Sequence, residues 1–130
     1  PMKEIINNLR KDKITKNIPI ILFTKGGGNW LKEISKSGCN AIGLDWTIDI
    51  SNAREIVGEN ICLQGNLDPC ALHGSKESIQ NAASKIIDSY GFGHKHIFNL
   101  GHGIDQFVNP DNLNVLIKHV KDYSVKYHNH

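Results

Sequence analysis

The sequence predicts a parallel α/β fold, and three observations carry that prediction. Short apolar runs recur four times along the 130 residues, and each is followed by a segment with helical periodicity. Glycines follow directly on three of these runs, at 26–28, 65 and 101–103. The segments between runs exceed the dozen or so residues that a parallel crossover needs.

The elements follow in order. Ile5, Ile6 and Leu9 share one helical face at the start of the chain, so a helix is expected before the first strand. Because the chain opens with Pro1 inside that helix, it is expected to be part of a longer protein. Residues 19–24 are apolar up to Thr24 and read as a buried strand. Asn29 is placed to cap a helix carrying Trp30, Leu31 and Ile34, with Gly38 as its stop. A second strand is expected over 41–46. Asp49 then caps a helix that carries Ile50, Ala53, Ile56 and Val57 on one face, and Gly58 ends it.

The third strand is expected over 61–64, with 65–69 as a turn-rich loop, since Gly, Asn, Asp and Pro cluster there. Ile79, Ala82, Ala83, Ile86, Ile87 and Tyr90 recur at offsets of three and four and give the clearest helix. Residues 96–100 form the fourth strand. Asn109 and Pro110 mark a helix start, the asparagine as cap and the proline in the first turn, and Leu113, Leu116, Ile117 and Val120 form its apolar face.

Composition excludes several classes. Apolar residues at 39% and charged residues at 22% suit a packed domain and argue against disorder. The formal charge is +2, and the fifteen Lys and Arg are dispersed without the basic, aromatic-interleaved block of a nucleic-acid groove. No apolar run approaches the roughly 18 residues of a membrane span. Cys39, Cys62 and Cys70 are odd in number and lack CxxC spacing, which points to reduced thiols of a cytosolic protein rather than to a disulfide framework or zinc ribbon.

In parallel βα folds the loops beyond the strand C-termini carry function. His102 lies there between Gly101 and Gly103, which keep bulk away from its imidazole. A ligand-facing role and a simple turn role both fit that setting. His73, His94, His96, His119, His128 and His130 read as solvated surface residues, and no HExxH pair is present. The glycines at 26–28 lack Walker and GxGxxG spacing and read as a tight turn, although their amides could meet a carboxylate. Asp68 beside Pro69 reads as turn chemistry. Asp45 beside Trp46 is either a site carboxylate or a helix-capping group.

Four strand-end stretches occur in sequence: Phe23-Thr24-Lys25-Gly26-Gly27-Gly28, Gly43-Leu44-Asp45-Trp46-Thr47, Leu63-Gln64-Gly65-Asn66-Leu67-Asp68-Pro69 and Phe98-Asn99-Leu100-Gly101-His102-Gly103-Ile104. In this order they resemble the successive signatures of the uroporphyrinogen decarboxylase family, from about residue 19 onward. The resemblance implies the C-terminal half of a (β/α)8 TIM-type barrel, with residues 1–130 as one partial barrel domain. A complete barrel takes about 250 residues.

The resemblance further implies a cytoplasmic homodimer of haem biosynthesis that removes four acetate carboxyl groups of uroporphyrinogen III as carbon dioxide, giving coproporphyrinogen III. It implies no cofactor and no metal. Protonation of a pyrrole carbon makes the ring an electron sink, and the protein stabilises the resulting cation. The pyrrole-facing aspartate, the carboxylate-binding arginines and a nearby tyrosine belong to the other half, so no catalytic residue is expected here. Only His102 carries over, as a substrate-binding residue. Asp45 is expected to be structural. Two other classes fit the scaffold: a corrinoid or thiol methyltransferase-type barrel binding zinc through His102 and cysteines, and a non-enzymatic α/β binding module.

Overall fold

The computed structural model describes residues 1–128. The first helix, α1, spans Met2–Lys11, followed by β1 (Ile21–Phe23) and α2 (Leu31–Ser35). Then come β2 (Ala41–Gly43), α3 (Ile50–Val57), β3 (Cys62–Leu67) and α4 (Lys76–Tyr90). Strand β4 (His96–Leu100) and helix α5 (Pro110–Ser124) complete the order, with 3-10 turns at Gly27–Trp30, Pro69–His73 and Val125–Tyr127. The four strands are parallel and lie in sequence order, β1-β2-β3-β4. This is the strand arrangement of a partial (β/α) barrel.

Local chemistry explains most boundaries. Asp49 accepts the Asn52 N–H at 2.9 Å and caps α3, and Gly58 ends it at a positive φ of 78°. Ser75 caps α4 by accepting the Ser78 N–H. Asn109 caps α5 by accepting the Asp111 N–H at 2.9 Å, with Pro110 in the first turn.

Register decides which side chains are covered. Leu22, Ile42 and Leu63 stand side by side and face the helices, where Ile42 and Leu63 join Leu31, Leu44, Ile50 and Ala53 in one core cluster. A second cluster, with Leu67, Leu72, Ile79, Ala83 and Leu116, lies under α4 and α5. Truncating a fully buried residue such as Leu63 to alanine costs about 2–5 kcal/mol.

On the opposite sheet face stand Phe23, Gly43, Gln64 and Ile97 in register. Among the described residues that face is largely open, with α5 only flanking it, which corrects the expectation of a buried first strand. Ile21 and Phe23 are each 47% exposed, because β1 is an edge strand paired only with β2 and its alternate residues point to the open face.

Four further expectations change. Asn29 does not cap a helix; it lies inside the 3-10 turn Gly27–Trp30, and Trp30 takes the cap position of α2 without a side-chain bond. Pairing of β2 stops at Gly43 rather than at Trp46. Strand β3 runs on to Leu67, so Gly65, Asn66 and Leu67 pair with Phe98, Asn99 and Leu100 instead of forming a loop. In α5, Leu116 is buried as expected, whereas Ile117 is exposed beside an open groove.

Candidate functional site

The turns that follow the four strands gather at one end of the sheet. Gly26 takes a left-handed φ of 71° and opens the 3-10 turn after β1. Its N–H donates to the Asp45 carboxylate, which also accepts the N–H and hydroxyl of Thr47. The glycine turn therefore holds an anion supplied by the chain itself. Asp45 is 2% exposed. Burial alone would push its carboxyl up, but the bonds from Thr47 and Gly26, with the Lys25 charge, hold it below the usual carboxylate range.

Asn66 reaches the same loop from β3. Its amide nitrogen donates to the Asp45 carbonyl at 2.8 Å and to the Ile48 carbonyl. After β4, the Gly101 N–H donates to the Leu67 carbonyl at 2.7 Å. A side-chain carbon at Gly101 would sit 2.7 Å from Trp46 Cα, so only glycine fits against that backbone.

His102 projects from this junction and is exposed. Its Nδ1 lies 3.0 Å from the Gly103 carbonyl, which can only accept, so Nδ1 carries the proton. The Nε2 is then the unprotonated ring nitrogen and can accept a hydrogen bond. His102 lines an open groove of about 740 Å³ with Phe23, Gly43, Gln64, Phe98, Asn99 and Ile104, closed on one side by Leu113, Ile117 and Lys121 of α5. The groove combines apolar walls with a few polar groups, as small-molecule sites do.

Asp68 behaves as turn chemistry predicts, accepting the Cys70 N–H at 2.9 Å. Its charge is the main reason the exposed Cys70 thiol is pushed up. Burial pushes the Cys62 thiol up as well, against the nearby Lys95 charge. Among the described residues, no three His, Cys, Asp or Glu side chains converge in a way that could hold a metal ion.

Two of the other histidines are half-buried against partners rather than free on the surface. His96 stacks on Tyr90 with centroids 4.5 Å apart and donates Nε2–H to the Gly65 carbonyl, and burial pushes its pKa down. His119 bonds the Ser84 hydroxyl at 2.8 Å and stacks on Tyr123. Strand and helix patterning contained no sign of these partners, which come from other elements. His73, His94 and His128 are exposed. His130 lies outside the described residues.

A parallel sheet in sequence order, with its turns and the exposed His102 imidazole beyond the strand C-termini, is the arrangement of a (β/α)-barrel segment, a fold class whose functional loops lie at that end. Comparison with known proteins gives the family. Residues 1–123 match the family model described as "Uroporphyrinogen decarboxylase (URO-D)", and the chain belongs to that family. The uroporphyrinogen decarboxylase of Nitrosomonas europaea is 54% identical over 127 residues, covering 98% of this chain and 36% of that protein. That of Pseudoalteromonas translucida is 46% identical over the same length, with the same coverage. The chain thus spans about 36% of the length of these curated relatives. Among solved structures, a methyltransferase from Methanosarcina mazei superposes with a TM-score of 0.74 at 19% identity, covering 92% of this chain and 35% of that one. At that identity the likeness concerns the fold alone.

Proposed function

We propose that this chain forms the C-terminal part of a uroporphyrinogen decarboxylase, a barrel enzyme that converts uroporphyrinogen III to coproporphyrinogen III by releasing four acetate carboxyl groups as carbon dioxide. The observation that carries this reading is the family match over residues 1–123, joined to relatives at 46–54% identity. The enzyme works without cofactor or metal, as a cytoplasmic homodimer in haem biosynthesis. The remaining strands supply the aspartate that faces the pyrrole nitrogens and the arginines that meet the carboxylates. They also pair with the two sheet edges left open here.

In this reading His102 belongs to the substrate side of the groove. With Nδ1–H held by Gly103, a protonated His102 presents Nε2–H to a substrate carboxylate. The neighbouring Gln64 and Asn99 add carboxamide groups to the same wall. No helix among the described residues is long and apolar enough to cross a membrane.

The test is incubation with uroporphyrinogen. The full-length protein that contains this segment should yield coproporphyrinogen without added metal or cofactor, and the 130-residue chain by itself should leave the substrate unchanged. Product formation by the isolated chain would show that the chemistry does not depend on the rest of the barrel.

A further inference from the structure

Asn66 is 1% exposed and stands at the end of β3 on the open-face side of the register, beside Asn99. Both of its amide donors are spent outside the sheet, on the carbonyls of Asp45 and Ile48 in the loop after β2. Its Oδ1 is buried without a protein partner. Leaving a buried acceptor unmatched is a costly way to stabilise a loop, and such an atom calls for a specific explanation. The explanation lies in what the 45–48 loop holds.

One contact of that loop leads directly to His102. The backbone of Trp46 packs against Gly101 so closely that no side-chain carbon fits between them. Gly101 is also tied to β3 through its N–H to the Leu67 carbonyl, next in sequence to Asn66. The end of β3 therefore grips the His102 turn twice, once directly through Leu67 and once through Asn66 and the 45–48 loop. The Asp45 carboxylate steadies the same loop from the β1 side. Asn66 does not itself line the groove, so any effect on a ligand must pass through the residues that do.

The geometry points to Asn66 as a positioning residue that sets the placement of the His102 imidazole through the 45–48 loop. Its consequence for turnover rests on the reading of His102 as a substrate contact. The placement itself does not.

The experiment uses the full-length protein with ¹⁵N-labelled histidine, the His102 signals being assigned by their loss in His102→Asn. Asn66→Asp keeps the side-chain shape but replaces both donors with an acceptor facing two carbonyls. If it fails to fold, Asn66→Ser decides. The His102 ring signals should shift or broaden in the folded variant, while those of His73 and His94 stay in place. Turnover should fall about ten-fold, with partly decarboxylated intermediates accumulating, and the double variant with His102→Asn should be no worse than the more damaged single variant. Unmoved His102 signals, or losses that multiply in the double variant, overturn the proposal. Should His102→Asn keep full turnover while the Asn66 variant still moves the His102 signals, the positioning role stands and the substrate role of His102 falls.

Discussion

The Asp45 carboxylate accepts the N–H of Gly26, so an anion from the turn after β2 fills the glycine turn after β1. This one contact joins two neighbouring βα units at the C-terminal end of the sheet. It also removes the Gly26 N–H as a free donor to a ligand anion.

A pH dependence follows from the bonds around Asp45. Its native pKa is depressed, so ionised Asp45 contributes stability that is fully present above the unfolded value, about 3.9. That contribution is lost as pH falls through the lower native value. The carboxyl carbon signal of Asp45 in the full-length protein should accordingly titrate below the ordinary aspartate range. Asp45→Ala, which strips three donors of their acceptor, should cost roughly 2–3 kcal/mol in denaturant unfolding. A titration midpoint at or above the ordinary value would contradict the bonding described.

Gly101 gives a steric prediction. Its backbone has no unusual φ, so the demand for glycine comes only from the Trp46 backbone that occupies the side-chain position. Gly101→Ala should force that backbone apart and destabilise by about 1–3 kcal/mol. The emission of Trp46, which is 46% exposed, should change at the same time. Unchanged melting temperature and emission would mean that the two turns do not touch as described.

Much of this organisation is legible in the sequence, because caps and periodicity are local signals. Asp49, Asn109 with Pro110, and the offsets from Ile79 to Tyr90 each specify an element through residues a few positions apart. Asn66 is hidden for the opposite reason. Gly65-Asn66 is turn chemistry by composition, and the strand continues there only because β4 pairs alongside it and the 45–48 loop takes its amide. The alternation of Leu63 and Leu67 about Gly65 was the available hint. The exposure of β1 is not legible in its sequence, because an edge strand and a central strand can have the same apolar composition. His96 and Tyr90 are neighbours only in space at the stacking distance seen, so the covering of that imidazole could not be read from its surroundings in the chain.

The open sheet face predicts how the 130-residue chain behaves alone. Strands β1 and β4 each pair on one side only, and Ile21, Phe23 and Ile97 are exposed on a face that a complete barrel would fill. Unpaired edges beside exposed apolar side chains template association. Sedimentation velocity should show self-association that grows with concentration. A compact monomer at all concentrations would count against the partial-barrel reading.

The sharpest prediction concerns the two nitrogens of His102, because the turn uses one and leaves the other. Asparagine places its amide nitrogen near the Nδ1 position, so His102→Asn can keep the bond to the Gly103 carbonyl while deleting Nε2. Glutamine reaches the Nε2 position instead and restores a donor there without an acid–base function. If His102 transfers a proton, both variants of the full-length enzyme should lose about 10² to 10⁴-fold in turnover. If it binds and orients a substrate carboxylate, His102→Asn should lose about ten-fold, a few times RT of binding energy, and let partly decarboxylated intermediates accumulate. His102→Gln should then recover much of the loss, because an amide N–H can still donate to a carboxylate. The binding outcome is the one expected, since His102 is exposed along the groove and its hydrogen bond among the described residues goes to the carbonyl of the next residue in its own turn. Wild-type turnover and product distribution in His102→Asn would reduce the imidazole to a turn residue and leave the substrate contacts of this segment to the carboxamides of Gln64 and Asn99.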